Sequence, residues 1–352
     1  MPIKNVLVRS TNWIGDAIMT TPALNLLKKA LPSAQIKVLA RPWVKDIFTD
    51  NPVVDQVVPL EGNTLVDKLS TAKRVRAMGF DLTVLFPNSF DSALVAWLSG
   101  IGIRAGYVTD ARRLLLNLPV EVPKDHKDRH QVFYYMKLVE EISWRLKEKG
   151  ARPVSIGDHE AKLFLRISPE EAKWADDWLK SQGITAATGP LVGINPGAAY
   201  GPAKCWPAEK YKALSSRMLN LYSGARFFVF GTVKEHEIGE KIVKGLGGAG
   251  INLAGKTTLG QVMALISRLD LLITNDSGLM HVGAALGTNL VAIFGSTNPV
   301  TTGPWTKRAI VVRKELACSP CLNRMCPKGS FLCMESIEVS DVFDACVRML
   351  AL

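Results

Sequence analysis

The sequence predicts an α/β protein that contains two doubly wound domains. Its length of 352 residues exceeds that of one typical domain and suits two. Short apolar segments of strand length alternate with amphipathic segments of helical spacing, which is typical of parallel sheets covered by helices. This alternation starts again in the second half of the chain, so we expect a second sheet there.

The first half begins with a strand at Lys4–Val8, and a helix is predicted over Asp16–Ala30. Further strands are predicted at Gln35–Ala40, Val53–Pro59 and Leu82–Phe86, and further helices at Thr64–Met78, Ser92–Gly100 and Arg129–Lys149. In the second half the predicted strands are Leu191–Asn195, Phe227–Phe230, Leu271–Thr274 and Leu290–Phe294. Turn-forming residues cluster at Ser181–Pro190, which indicates one domain over residues 1–183 and another over 184–352. The last helix is free to pack back on the first domain.

Composition and charge narrow the class of protein. Hydrophobic residues make up 47% and charged residues 21%, which is ordinary for a globular chain. The apolar run near the N-terminus, Val6–Val8, is too short for an export signal, and no segment has the length of a membrane span, so we expect a cytoplasmic protein. The net charge is +11, and residues 1–166 carry 24 Lys+Arg against 17 Asp+Glu. A basic excess favours anionic partners, but no nucleic-acid-binding motif is present, so nucleic acid is not expected among them.

Ligands of open parallel sheets bind beyond the carboxyl ends of the strands, so the turns there are the candidate sites. After the first strand, the turn Ser10–Asp16 leads into a helix. Asp16 is either a carboxylate that favours the helix N-terminus or a general base. The turn lacks the GxGxxG pattern, which leaves a dinucleotide site there unsupported.

Two turns of the second half carry charged residues at strand ends. Gly197 adds no side chain to the first turn, so the surface of this loop stays low. Lys204 either reaches back to a phosphate or is an ordinary surface lysine. The turn after Phe227–Phe230 contains Thr232, Glu235 and Glu237. A carboxylate there either holds a pair of ribose hydroxyls or belongs to a solvated helix start.

The turn Thr274–His281 has the richest chemistry. A buried strand ends in Asn-Asp-Ser-Gly, and a helix of small residues follows. Backbone N–H groups at that helix start form a natural diphosphate site, and Gly278 permits close approach. Asp276 and Ser277 can accept or donate hydrogen bonds to a sugar, whereas His281 is either a buried core histidine or a ligand contact. The turn Phe294–Pro299 repeats the pattern and can complete the wall of the pocket.

Four cysteines near the C-terminus, Cys318, Cys321, Cys326 and Cys333, are spaced as C-x2-C-x4-C-x6-C. Two interpretations stay open: a structural metal or redox-sensitive cluster, and a tightly folded loop of free thiols. Cys205 and Cys346 are expected to be isolated packing residues.

Together these turns resemble glycosyltransferase family 9, the lipopolysaccharide heptosyltransferases. The segments that carry the resemblance are NWIGDAIMTTPAL, FPNSFDSAL, NPGAAYGPAKCWP and TNDSGLMHVGAALG, at Asn12–Leu24, Phe86–Leu94, Asn195–Pro207 and Thr274–Gly287. The second and third look closest to heptosyltransferase II, the branch that adds the second heptose. The resemblance implies a GT-B fold, with the acceptor on the first domain and the sugar nucleotide on the second across a cleft. It implies inverting transfer of heptose from ADP-heptose to the inner core of lipopolysaccharide, without a metal or another cofactor.

The resemblance also implies roles for individual residues. Asp16 matches the catalytic base, and Glu237 matches the ribose contact, with Glu235 close enough to compete. On the donor side we expect Gly197, Lys204, Thr232, Asp276, Ser277, Gly278 and His281. On the acceptor side we expect Asn12, Asn88, Ser89, Arg112 and Arg113, with Arg104, Lys127 and Arg129 as further candidates. By their position these cations are either contacts for the phosphates and carboxylates of a Kdo-lipid A acceptor or ordinary solvated charges. The acceptor lies at the inner face of the inner membrane, where the enzyme is expected to be peripheral.

Three other interpretations remain open at this stage. A family 9 transferase with another sugar donor or glycan acceptor would share the donor-pocket motif. A nucleotide-sugar epimerase shares the GT-B fold and needs no acceptor. A non-catalytic, membrane-associated scaffold would not need Asp16, Lys204 and Asp276 together.

Overall fold

The structure is a computed structural model that describes residues 2–159, 161–185 and 187–351. The chain divides into two compact units, of which the first ends at Arg166 and the second begins at Ile167. Each unit contains one six-stranded sheet in which all neighbouring strands are parallel.

The first unit has the strand order β3-β2-β1-β4-β5-β6. Its strands are β1 (Asn5–Arg9), β2 (Gln35–Ala40), β3 (Gln56–Pro59), β4 (Leu82–Leu85), β5 (Ile103–Tyr107) and β6 (Leu118–Val120). Its helices are α1 (Ile14–Met19), α2 (Thr21–Ala30), α3 (Leu65–Ala77), α4 (Phe90–Leu98) and α5 (Gln131–Arg145). Short 3-10 helices lie at Pro42–Ile47, Arg112–Leu115, Lys147–Lys149 and Ile156–Asp158.

The second unit has the strand order β12-β11-β10-β7-β8-β9. Its strands are β7 (Leu191–Asn195), β8 (Arg226–Val229), β9 (Gly250–Asn252), β10 (Leu271–Asn275), β11 (Leu290–Ile293) and β12 (Ala309–Val312). Its helices are α6 (Pro169–Ser181), α7 (Ala208–Leu221), α8 (His236–Val243), α9 (Leu259–Ile266), α10 (Gly278–Leu286), α11 (Pro299–Thr302), α12 (Leu332–Glu335) and α13 (Val339–Leu350). Short 3-10 helices lie at Pro202–Lys204, Val233–Glu235 and Gly247–Ala249.

Both sheets follow the doubly wound order, in which the first three strands run outward in sequence and the chain then crosses back to place its fourth strand on the other side of the first. This reversal of strand order lies between β1 and β4 in the first unit and between β7 and β10 in the second. Ligands of such sheets bind at the carboxyl ends of the strands beside the reversal. The turns that follow these four strands are the ones that the sequence singles out for chemistry.

The central strands form because their residues are apolar on both faces. Every residue of β4 and of β10 is buried, as expected for parallel strands with helices on both sides. In the second unit a large core packs around Trp206, Tyr211 and Phe227, which are all fully buried. This packing fixes the strand ends and therefore the turns that carry the site.

Several element predictions need correction. The predicted helix over Asp16–Ala30 is two helices, α1 and α2, because Pro22 occupies the first turn of the second one and starts it anew. The strands β5, β6, β9 and β12 were not predicted. The strands β6 and β9 have only three residues, and β5, β6 and β9 contain Arg, Gly, Pro or Asn, so they lack the apolar run that marks a strand.

Helix α6 belongs to the second unit, so the division falls after Arg166 and not after residue 183. The helix packs against α9, and Asp176 accepts hydrogen bonds from Arg268 at 2.8 and 3.2 Å. The last helix, α13, packs on α7 and on the strands β11 and β12 of the same unit. Within the described residues, none of the helices has the length and apolar character needed to cross a membrane.

A buried amide ties together three segments of the second unit. Asn275 ends β10, and its Oδ1 accepts hydrogen bonds from the Trp206 backbone N–H at 3.1 Å and the Tyr211 hydroxyl at 2.9 Å. Its Nδ2 donates to the Pro196 carbonyl at 2.6 Å. The side chain thus joins the turn after β7 to the start of α7, on either side of the Lys204 segment.

We expect Asn275→Leu to lower the free energy of unfolding by about 3 kcal/mol, because it leaves two buried donors and one buried acceptor without partners. Urea denaturation followed by tryptophan fluorescence measures the effect. The matched control is Asn220→Leu on the exposed face of α7, which should stay within about 0.5 kcal/mol of the parent. Equal midpoints for the two variants would contradict this role of the amide.

Three of the four clustered cysteines lie on a loop that packs onto two site segments, and the fourth, Cys333, lies in α12. Ser319 Oγ donates to the Gly295 carbonyl at 2.6 Å, and the Leu322 N–H donates to the Ser296 carbonyl at 2.8 Å. The Tyr200 hydroxyl donates to the Leu322 carbonyl at 2.5 Å. All six cysteines are free thiols, and among residues 2–159, 161–185 and 187–351 no three His, Cys, Asp or Glu side chains are arranged as a metal site.

The surroundings of three thiols shift their pKa values in different directions. Backbone N–H groups of Phe331, Lys328 and Ser330 lower the pKa of the Cys326 thiol. Burial, together with the neighbouring thiols, raises the pKa of Cys333, and burial raises the pKa of Cys346 strongly. Because the thiolate is the nucleophile, we expect iodoacetamide near neutral pH to label Cys326 before Cys333, and Cys346 last. Mass spectrometry of timed samples measures the order, and labelling of Cys333 ahead of Cys326 would refute it.

Candidate active site

The turns after β7 and β10 are joined directly by hydrogen bonds. Ser277 Oγ donates to Asn195 Oδ1 at 2.6 Å and lies 3.0 Å from Thr274 Oγ1. The Ser277 hydroxyl therefore bonds across to the neighbouring strand end and does not cap its own helix. The first N–H groups of α10, from Gly278 onward, are thus left for another hydrogen-bond acceptor at this edge of the sheet.

The expected donor-site residues Lys204 and Asp276 form a buried ion pair. Lys204 Nζ lies 2.7 Å from Asp276 Oδ2, and the two side chains are only 13% and 4% exposed. The same oxygen accepts hydrogen bonds from Thr297 Oγ1 at 2.6 Å and from Thr302 Oγ1 at 3.4 Å. Lys204 also lies over the ring of Tyr200, 4.7 Å from its centroid. A cation, a carboxylate and two hydroxyls therefore meet at one point.

Of the two carboxylates in the turn after β8, Glu235 and not Glu237 lies against the β7 turn. Glu235 Oε2 accepts from the N–H and hydroxyl of Thr232 at 2.6 and 2.9 Å. A Cβ placed on Gly197 would come within 1.5 Å of Glu235 Oε1, so a larger residue there would displace this carboxylate. Glu237 is exposed in the first turn of α8. His281 is buried in α10 and engaged with a partner.

In the first unit, Asp16 lies in the first turn of α1 and accepts hydrogen bonds from α5. Gln131 Nε2 donates to Asp16 Oδ1 at 3.2 Å, and the Tyr135 hydroxyl donates to the same oxygen at 3.5 Å. Gln131 and Tyr135 also bond to each other at 3.0 Å. Burial, and then the nearby Asp16 charge, hold the pKa of Tyr135 well above its usual value, so this phenol is a permanent donor.

The Asp16 loop carries a second polar residue and two exposed indoles. Asn12 Oδ1 accepts from Arg9 Nη2 at 2.7 Å, and the Asn12 carbonyl accepts from Trp43 Nε1 at 2.8 Å. Trp13 and Trp43 are about half exposed. Exposed aromatic rings beside polar groups are typical of carbohydrate or lipid contacts.

The turn after β4 is held from inside by Arg112. This side chain is fully buried and donates to the Tyr107 carbonyl at 2.9 Å, to Ser92 Oγ at 3.0 Å and to the Pro87 carbonyl. Burial lowers the pKa of Arg112 to about 10. These hydrogen bonds hold the guanidinium against the protein's own loop.

Asn88 and Ser89 lie on the loop that Arg112 supports. Asn88 Oδ1 accepts from the Tyr134 hydroxyl at 3.0 Å, and Ser89 caps α4. Arg113 is exposed and pairs with Glu121 at 2.9 Å. Arg104 bonds to the Ile101 and Leu115 carbonyls, and Arg129 pairs with Asp125.

Sequence reasoning missed several residues of these sites. Gln131 and Tyr135 are one helical turn apart, so they lie on the same face of α5. This spacing identifies them as site residues only when it is known that Asp16 faces α5. Arg9 and Arg41 end strands and are more than nine-tenths buried, which a linear sequence does not reveal. Thr297 lies in a turn that the sequence did single out, but its bond to Asp276 needed the fold.

Comparison with known proteins agrees with this arrangement. The family model "Glycosyltransferase family 9 (heptosyltransferase)" matches residues 68–331. Lipopolysaccharide heptosyltransferase 2 of Salmonella typhimurium is 31% identical over 316 residues, covering 88% of this chain and 87% of that protein. Lipooligosaccharide heptosyltransferase 2 of Haemophilus influenzae is 30% identical over 318 residues, covering 88% of each.

A solved structure, the ADP-heptose lps heptosyltransferase II of E. coli, superimposes with a TM-score of 0.81 at 29% identity and covers 99% of this chain and 98% of that one. The expected GT-B fold, with two Rossmann-like units built on parallel sheets, is confirmed. The family match spans three quarters of the chain, and the site turns lie where the shared fold binds ligands. The chain belongs to glycosyltransferase family 9.

Proposed function

We propose that this glycosyltransferase moves heptose from ADP-heptose to the inner core of lipopolysaccharide, adding the second heptose. The observation that carries the proposal is the 30–31% identity over 88% of the chain to proteins named heptosyltransferase 2. The site supports it, because the second unit offers a cation and a helix N-terminus for a diphosphate, and the first unit offers a carboxylate for a hydroxyl.

Asp16 acts as the general base in this proposal. Its carboxylate takes the proton from an acceptor hydroxyl as that oxygen attacks the anomeric carbon, and ADP leaves from the opposite face, so the configuration inverts in a single displacement. Gln131 and Tyr135 are positioning residues: both donate to Oδ1 and orient the carboxylate. Both donors are neutral, so each contributes a hydrogen bond to the carboxylate and no charge.

The second unit stabilises the leaving diphosphate. Negative charge develops on the ADP phosphate as the glycosidic bond breaks, and Lys204 with the first N–H groups of α10 is placed to meet it. The diphosphate competes with Asp276 for Lys204, so Asp276 becomes available to the hydroxyls of the sugar. Glu235, beside Gly197 and Thr232, is our choice over Glu237 for the ribose hydroxyls.

The acceptor side combines Asn12, Asn88 and Ser89 with the exposed rings of Trp13 and Trp43. Arg112 serves here as a positioning residue for the Asn88 loop. The excess of positive charge, +7 over residues 1–166 from 24 cations and 17 anions, favours work at the anionic inner face of the inner membrane as a peripheral, cytoplasmic enzyme.

The test of function is ADP release from ADP-heptose with heptose-free and mono-heptosylated lipopolysaccharide as separate acceptors. We expect release only with the mono-heptosylated acceptor, and a fall of about 10²–10⁴-fold in Asp16→Asn because the general base is lost. Release with the heptose-free acceptor would move the assignment to the first heptose. A strong preference for another nucleotide sugar would favour a different family 9 activity, and release without any acceptor would favour an epimerase or hydrolase.

Replacing Lys204 by Met should lower kcat by about 10²–10³-fold, because a charge-stabilising donor at the leaving group is lost. Steady-state kinetics with saturating acceptor measure it. Lys244→Met, an exposed lysine that follows α8, is the matched control and should keep the parental rate. A Lys204→Met enzyme that stays folded by circular dichroism and retains full kcat would remove Lys204 from the mechanism.

A further inference from the structure

A small cavity of about 210 Å³ lies at the carboxyl edge of the first sheet. It is lined by residues that directly follow four strands, so it sits where doubly wound sheets bind ligands. Arg9 and Asn12 come from the end of β1, Arg41 follows β2, and Ser89 follows β4. The segment Leu60–Asn63 after β3 closes the remaining side.

Two buried guanidinium groups dominate this cavity. Arg9 is 7% exposed and Arg41 is 9% exposed. Arg9 donates to the Ser10 carbonyl and to Asn12 Oδ1, and Arg41 donates to the Leu60 and Gly62 carbonyls and to Asn63 Oδ1. All of these acceptors are neutral, and within the described chain neither arginine forms an ion pair with a carboxylate.

The charge state of the pair reflects this lack of counterions. Burial, and then repulsion from Arg41, lower the pKa of Arg9 to about 9. Burial also lowers the pKa of Arg41, against an opposing attraction from Asp67 and Asp91. Both arginines are cationic near neutral pH, and desolvated cations of this kind are stabilised by a bound anion.

Within the described chain, the other charged groups of the cavity form no ion pair with the two arginines, although Asp91 attracts Arg41. Lys68 and Asp91 pair with each other at 2.8 Å, and Glu61 is exposed. Asp67, outside the cavity lining, is bonded to the N–H and hydroxyl of Thr64. The lining therefore holds three cations and two carboxylates, and it also includes Ser89 at the N-terminus of α4, which favours negative charge.

We propose that Arg9 and Arg41 form a binding pocket for an oxyanion, a carboxylate or phosphate group of the anionic acceptor. The position supports this, because Asn12 both lines the cavity and belongs to the loop that leads to Asp16. Arg112 provides the contrast: it is equally buried, but its bonds hold a loop and it does not line this cavity. That the oxyanion belongs to the acceptor rests on the proposed function.

The first test needs no catalysis. Thermal unfolding is compared in sodium phosphate, sodium malonate and sodium chloride at equal ionic strength, for the parent, Arg41→Gln and the exposed control Lys73→Gln. We expect phosphate or malonate to raise the Tm of the parent and of Lys73→Gln over that in chloride, and the gain to vanish in Arg41→Gln. Equal anion-dependent gains in all three proteins, or no gain in any, would overturn the pocket.

The second test uses transfer kinetics. Arg41→Gln and Arg9→Gln should raise the acceptor KM by at least about tenfold while leaving the ADP-heptose KM unchanged. Arg41→Lys keeps the charge, so it should recover part of the rise in acceptor KM. It also provides the test if Arg9→Gln fails to fold. A rise in both KM values, or in neither, would refute a role in acceptor binding.

Acceptors that lack either the phosphates or the Kdo carboxylates identify the group bound. If removal of one of these groups abolishes the difference in acceptor KM between the parent and Arg41→Gln, that is the group the pocket binds. If neither removal changes the difference, the oxyanion does not come from the acceptor and the proposal fails. If no acceptor supports transfer at all, the proposed function fails, whereas the thermal test still decides whether the pocket binds anions.

Discussion

The buried ion pair between Lys204 and Asp276 is the interaction on which the second unit's site depends. A carboxylate that is 4% exposed is costly unless it is paired, and here a lysine and two threonine hydroxyls share one of its oxygens. The neighbouring Asn275 makes the pairing possible, because its amide fixes both ends of the segment that carries Lys204. The site is thereby built before a ligand arrives, with a cation that a diphosphate can share.

The two units have the same strand order, but the buried charges at their strand ends are arranged differently. The second unit pairs its buried cation with a carboxylate, so its charges are balanced until a nucleotide competes for Lys204. Within the described residues, Arg9 and Arg41 of the first unit donate to neutral oxygens, and the neutral donors Gln131 and Tyr135 bond to Asp16. In the proposed mechanism, the donor site exchanges the ion-pair partner of Lys204, and the acceptor site offers the two arginines to an anion.

Much of this arrangement could be predicted from the sequence, because strand ends with Gly, Asp and Asn are local signals. The turns at Asp16, Gly197 and Asp276 carry such signals, so the sequence alone locates them. Side-chain direction was not predictable: Arg112 points inward to a loop, whereas Arg9 lines a cavity. Glu235 and Glu237 are two residues apart, and only the backbone of the Val233–Glu235 turn decides which one faces Gly197.

Arg9 and Arg41 form no ion pair within the described chain, and this affects which acceptors the proposed pocket selects. A buried cation without a counterion raises the free energy of the empty enzyme, and an acceptor that brings an oxyanion removes that penalty on binding. A neutral glycan of the same shape would not remove this penalty. The pocket therefore discriminates against neutral ligands because they leave the buried arginines without a bound anion. In the proposed mechanism, an oxyanion bound at Arg9 also orients the loop of Asp16, because Asn12 bonds to Arg9 and lies four residues before Asp16. Under that proposal, recognition of a charged acceptor and orientation of Asp16 both depend on the segment from Arg9 to Asp16.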